Sequence, residues 1–143
     1  MRRWTFDERG AASVELVVIV PALVLMLGLL IAGGRLWFAR ATVVEAAQSA
    51  ARAASLERSA DSAHQAGVSA GARVLATDGL RCSGDSISVD TSAFGVPVGT
   101  PATVRSSVSC QVPFADLAIP GTPGSITVRS AGAAALDTYR ARS

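Results

Sequence analysis

Lysine is absent from this 143-residue chain, histidine occurs once, and only 5% of the residues are aromatic. Each shortage excludes something. All 13 basic residues are arginine, and they are scattered, which reads as coding bias and leaves no basic stripe for nucleic acid. The single histidine, His64, has only Asp61 near it at metal-ligand spacing, so it reads as a solvated helix residue and no metal is expected. The serines lack a GxSxG elbow, and no GxxxxGK[ST] phosphate loop occurs. Asp85 and Asp90 lie on or beside a predicted strand, where turn and surface roles explain them. The inventory is not that of an enzyme, and neither a cofactor nor a small-molecule substrate is expected.

Cysteine is also scarce. Cys82 and Cys110 are the only two, with 27 residues between them, a spacing that fits neither a CxxC redox pair nor a zinc ribbon. A disulfide is the reading they support, with two unpaired buried thiols as the alternative. Half of the residues are hydrophobic, but outside one long run these are mostly alanine and valine, so the core is expected to be thin and to need a staple. Closing a loop of this length contributes roughly 3–4 kcal/mol in the chain-entropy model, and the bond requires an oxidising compartment outside the cytoplasm.

What the chain does have is an uncharged stretch of 19 residues between Glu15 and Arg35, enough helix at about 1.5 Å per residue to cross a hydrocarbon core of about 30 Å. Pro21 inside it is expected to kink the helix rather than end it, since lipid punishes unpaired backbone groups. Gly28, Ala32 and Gly33 put small residues near one face, where either another helix can approach or glycine is simply tolerated in a membrane helix. Trp4 and Phe6 before the run, with Trp37 and Phe38 after it, stand where interfacial aromatics belong. Arg2, Arg3 and Arg9 precede the run and Arg35 and Arg40 follow it, which, with the cysteines, orients the N-terminus toward the cytoplasm. Ordinary secretion with loss of the whole run fits poorly, because the run exceeds the usual signal h-region and the nearest small-x-small site lies beyond Arg35.

From Leu36 to about Leu56 the helix should continue out of the bilayer as an alanine-surfaced stem. Val43 or Val44, Ala47, Ala51 and Ala54 recur at helical spacing, while Arg40, Glu45, Gln48 and Arg52 take other positions. A second helix is expected from an N-cap at Ser59 or Asp61 to about Thr77, stopped by Asp78 and Gly79. Three β-prone runs follow, Ser86 to Thr91, Ala102 to Val112, and Ser125 to Val128 or beyond, parted by loops at Phe94 to Pro101 and Pro113 to Gly124. Val104, Val108, Cys110 and Val112 share one parity, so Cys110 should face inward. The fold class is α+β: a long N-terminal transmembrane helix, a second helix, and a small antiparallel sheet of about three strands leaning on the second helix. The expected divisions are 1–10 as a leader, 11–35 as the span, 36–77 as stem and second helix, and 78–143 as a β-rich extracytoplasmic head.

Glu15 is the anomaly. A carboxylate carried toward the bilayer centre costs about 2.5–3.5 kcal/mol, so it calls for a nearby cation. Cutting the chain after Gly10 would supply one, a free ammonium on Ala11 one turn away or on a neighbouring subunit. With the chain uncut, Arg9 snorkelling beside Glu15 would serve. GAASVE at Gly10 to Glu15, leading into LVVIVPALVLMLGLLIAGGR, resembles the TadE-like proteins, minor pilins or pseudopilins of the tight-adherence (Flp) pilus system. It shares with type IV prepilins a glycine before the cut and a glutamate five residues after it. The resemblance implies cleavage between Gly10 and Ala11 by a membrane prepilin peptidase, a Glu15 that meets a neighbour's new N-terminus during assembly, and partnership with other pilin-like subunits and pilus assembly proteins. Pro21 falls where such proteins often carry a proline, and SITVRSAGAAALDTYR resembles the family's closing strand. Ala32, Gly33 and Gly34 depart from the pattern, replacing an acidic residue and an aromatic often found there. The competing reading is an uncleaved, signal-anchored extracytoplasmic binding module with no pilus role.

Overall fold

In the computed structural model, residues 9–113 and 124–141 are described, with side chains from Leu16 onward in the first helix. That helix, α1, runs unbroken from Arg9 to Ser55, 47 residues or about 70 Å at about 1.5 Å per residue. It passes through Pro21, and beyond Gly34 it contains neither glycine nor proline to stop it. Its two halves differ. From Leu16 to Ile31 the large apolar side chains are exposed, whereas from Ala39 onward one face of alanines (Ala39, Ala46, Ala47, Ala50, Ala51 and Ala54) is covered by the rest of the chain.

α2, Ala60–Thr77, follows a short turn and packs beside α1. Of the two N-cap candidates Ser59 is used: its backbone is extended, and its hydroxyl accepts the Ser62 N–H at 3.3 Å. Asp61 stands in the first turn, where a carboxylate favours the positive helix end. Asp78 caps the far end, and Gly79 turns the chain at φ 68°, a left-handed conformation that favours glycine.

Three strands complete the fold: β1 (Gly84–Asp90), β2 (Thr103–Pro113) and β3 (Ser125–Ala135), antiparallel in the order β1-β2-β3. A short 3-10 turn at Ser92–Gly95 tucks Phe94 into the core between β1 and β2. The loop expected at Pro113 to Gly124 lies almost wholly outside the described residues. Val104, Ser106, Val108, Cys110 and Val112 of β2 are all buried, which matches the period-2 reading of that strand.

The sheet leans chiefly on α1, not on the second helix as the sequence suggested. α1 covers β2 and β3, and α2 packs on β1. The reason is steric. Alanines let the α1 backbone come close to the sheet, and at the closest point a Cβ on Gly132 would collide with the backbone carbonyl of Ala47. Directly across from Gly132 on β2, the buried hydroxyl of Ser106 donates to that same carbonyl at 2.6 Å. α2 makes a similar approach through Gly67 and Gly71. A Cβ on Gly67 would stand 2.7 Å from the Val89 side chain and 3.0 Å from the Ala50 carbonyl, and one on Gly71 would meet Ile87 at 3.3 Å.

The core therefore divides along α1 into two clusters. One, nearer the apolar run, gathers Ala39, Val43, Ala47, Leu75, Val108 and Cys110, with Leu36, Leu80 and Cys82 packed on it. The other, at the distal end, gathers Ala54, Ala63, Val89, Phe94, Val104 and Leu136. The tail returns to close this end: Arg140 donates to the Leu56 carbonyl at 2.6 Å and Gly99 donates to Thr138 at 2.8 Å.

Candidate functional site

Gly10, Ala11 and Glu15 all fall within the first two turns of α1, in α-helical backbone that begins at Arg9. Ala11 and Glu15 are therefore one turn apart on the same side of the helix. Their side chains lie outside the described residues, as do Trp4 and Phe6. Pro21 is inside the helix, where it removes one i→i−4 hydrogen bond without ending it.

Leu16 to Ile31 presents an apolar rod on every side: Leu16, Val17, Val18, Leu25 and Leu29 are each at least 60% exposed. A helix that is hydrophobic all round and uncovered calls for an apolar solvent, and this one is long and apolar enough to cross a membrane. Nothing lies within 4 Å of the place a Cβ would take on Gly28, Gly33 or Gly34, so the chain's own packing does not require those glycines. Trp37 is 73% exposed and Phe38 49%, just past the first charge at Arg35.

Cys82 and Cys110 are bonded, with an S–S distance of 2.04 Å and Cα atoms 5.3 Å apart. Cys110 is fully buried among the inward valines of β2, and Cys82 is on the connection from α2 to β1, so the bridge ties that connection to the middle strand. Ser83 reinforces it, donating from its backbone to the Gln111 carbonyl at 2.8 Å.

Among the described residues no group of three or more His, Cys, Asp or Glu is placed to hold a metal ion. His64 is exposed on α2. Asp90 accepts the Ser92 N–H at 3.0 Å, and hydrogen bonds from Ser92, side chain before backbone, hold its carboxyl below the usual value, with Arg105 opposite adding a smaller effect. That is turn chemistry at a strand end.

Sequence reasoning missed Ser106 and Gly132 as the contact between sheet and helix. Ser106 has the same parity as Val104 and Val108, which was the available signal. Gly67 and Gly71 were missed as well, although a glycine pair four apart inside a predicted helix marks a close approach.

Fold and site together define a class: a small α+β head carried on the upper half of a helix whose lower half is suited to lipid. Residues 10–52 match the family model described as TadE-like protein, the family that the motif at Gly10 to Glu15 resembles. The match begins at the expected cut, takes in the whole apolar run, and extends along the alanine-coated half of α1. No curated protein and no solved structure matches the chain.

Proposed function

We propose that the protein is a non-enzymatic, pilin-like subunit, a minor pilin or pseudopilin, of a tight-adherence (Flp-type) pilus or of the machinery that assembles it. The observation that carries this reading is the TadE-like match over residues 10–52, which coincides with one unbroken helix. A prepilin peptidase cuts between Gly10 and Ala11 on the cytoplasmic face, and the new ammonium on Ala11 satisfies Glu15 of the same or a neighbouring subunit. The subunit waits in the cytoplasmic membrane with its head outside, as the disulfide supports. On assembly, the face from Val14 to Ile31 exchanges lipid for the packed helices of neighbours, a change of apolar solvent that demands little rearrangement. Gly28 and Gly33, not required by the chain's own packing, are suited to that approach.

N-terminal sequencing of protein from the native host tests the processing step: the mature chain should begin at Ala11, and one beginning at Met1 would leave only an anchored binding module. Glu15→Ala should spare membrane insertion and cleavage while abolishing incorporation into the pilus, read by subunit content of sheared fibres.

A further inference from the structure

The two edges of the sheet differ. β1 is seven residues long, carries Asp85 and Asp90, and runs into the 3-10 turn, whereas β3 is eleven residues long with Arg129 as its only charge. Short length, charged side chains, proline and bulges are the usual guards of an exposed edge. β3 contains no proline, and its one-to-one register with β2 from Ser125 to Ala135 leaves no bulge.

Half of the backbone groups of β3 face outward. The Leu136 N–H donates to the Ala102 carbonyl at 2.9 Å, which extends the β2–β3 ladder by one pair and sets its phase. Hydrogen-bonded pairs alternate along an antiparallel ladder. Even-numbered residues from Ile126 to Ala134 therefore bond β2, while Thr127, Arg129, Ala131 and Ala133 turn their N–H and C=O away from it. Among the described residues no backbone group takes these up. Ala131 and Ala133 are exposed and small, so they leave room for a further strand.

Direction and charge select that strand. β1 climbs from Cys82, in the cluster near the apolar run, to Val89 in the distal one, and β3 climbs likewise from Val128 toward Leu136. Copies anchored by α1 in one membrane stand upright together, so the β1 of one and the β3 of the next are parallel. Joining two β3 edges would bring arginine toward arginine, and joining two β1 edges would bring aspartates together. Joining unlike edges sets one arginine on the side of two aspartates, the favourable combination. The flank of α1 beyond β3 is also uncovered. Successive helical residues turn by about 100°, so the order around α1 is Ala46, against Gly71 of α2, then Ala47, against Gly132 of β3, then Val44, which is 47% exposed.

We infer that the β1 edge of a second copy of this chain adds in parallel to β3, joining two sheets into one and leaving a free edge at each end for further copies. The contact is heterologous, so it propagates beyond a pair. The inference takes its common upright orientation from the reading of α1 as a membrane span, and it does not depend on a pilus role.

Ser88 is paired with Ser107, and Ser107 with Ala131, so these three residues are level within the sheet. Copies at equal depth thus set Ser88 of one beside Ala131 of the next. Neighbouring strands lie about 4.8 Å apart, within the range of about 4.4–6.8 Å that a disulfide spans between Cα atoms. Full chains carrying Ala131→Cys and differently tagged chains carrying Ser88→Cys are reconstituted together in vesicles of phosphatidylethanolamine and phosphatidylglycerol and mildly oxidised. A mixed dimer is expected, and neither variant alone should dimerise. Ala133→Pro, added to the Ala131→Cys chain, removes an outward N–H that the fold does not use and should abolish the mixed dimer with an unchanged thermal midpoint. Arg129→Glu, which leaves the backbone intact, should lower its yield roughly threefold. Absence of the mixed dimer, equal dimerisation of either variant alone, or a mixed dimer indifferent to both Ala133→Pro and Arg129→Glu would each overturn the proposal. Alkaline carbonate extraction of the same vesicles separates the two readings: a chain released by carbonate overturns the span, and one that stays inserted without the mixed dimer overturns the edge contact alone.

Discussion

The two halves of α1 invert the usual relation between hydrophobicity and burial. Leu, Val and Ile of the lower half are exposed, whereas Ala39, Ala46, Ala47, Ala50, Ala51 and Ala54 of the upper half, among the least hydrophobic of apolar side chains, are almost fully covered. The difference lies in what each half must accommodate. A fluid lipid solvent adapts to bulky side chains, so size there only adds apolar area. A protein neighbour has a fixed backbone, and close approach is possible only where side chains are small. Size sorts the residues of this helix between its two environments.

The contrast can be broken most forcefully at the disulfide. Replacing Cys82 and Cys110 with serine should cost the head about 3–4 kcal/mol in denaturant unfolding, because an alanine-lined core offers little area to compensate. Gly132→Val should cost about 3 kcal/mol, at the upper end of overpacking penalties, because its obstacle is the Ala47 backbone rather than a movable side chain. Ser106→Ala keeps the close approach and removes one buried hydrogen bond, for an expected loss of about 1 kcal/mol in the same assay. Leu25→Ala, in the lower half, sharpens the contrast from the other side. It deletes far more apolar volume than Ser106→Ala, yet should move the head's unfolding midpoint by less than about 0.5 kcal/mol, since Leu25 is 75% exposed. A loss of 2 kcal/mol or more, the cost typical of a buried leucine, would mean the two halves are not separate environments.

The smallest effect concerns pH. Asp90 has a folded-state pKa below its ordinary value of 3.8. Its contribution is therefore present above that value and fades as pH falls through the lower, folded-state value. Asp90→Asn should flatten the acid limb of the thermal midpoint against pH and leave the neutral range nearly untouched.

Period and punctuation made most of this architecture legible. Ser59 as a cap, Gly79 as a stop and the inward parity of Cys110 all follow from local rules that act over a few residues. Which valine of the Val43–Val44 pair faces inward did not follow, because the alanines around both give no contrast in hydrophobicity; the structure buries Val43 and leaves Val44 exposed. The choice of α1 as the sheet's main support was illegible for a related reason. It depends on Gly132 meeting Ala47 across 85 residues of chain, and a glycine within a strand pattern reads as a weakness until its neighbour is known. The motif at Gly10 to Glu15 was readable because its residue types are chemically unusual beside an apolar run.

The absence of glycine and proline from α1 between Arg35 and Ser55 has a mechanical consequence. A flexible tether would let the head swivel while the anchor stayed put, but a helix continuous from Arg9 to Ser55 behaves as a lever. Tilting or rotating the head turns the anchor by the same angle, so whatever grasps one end of the molecule steers the other.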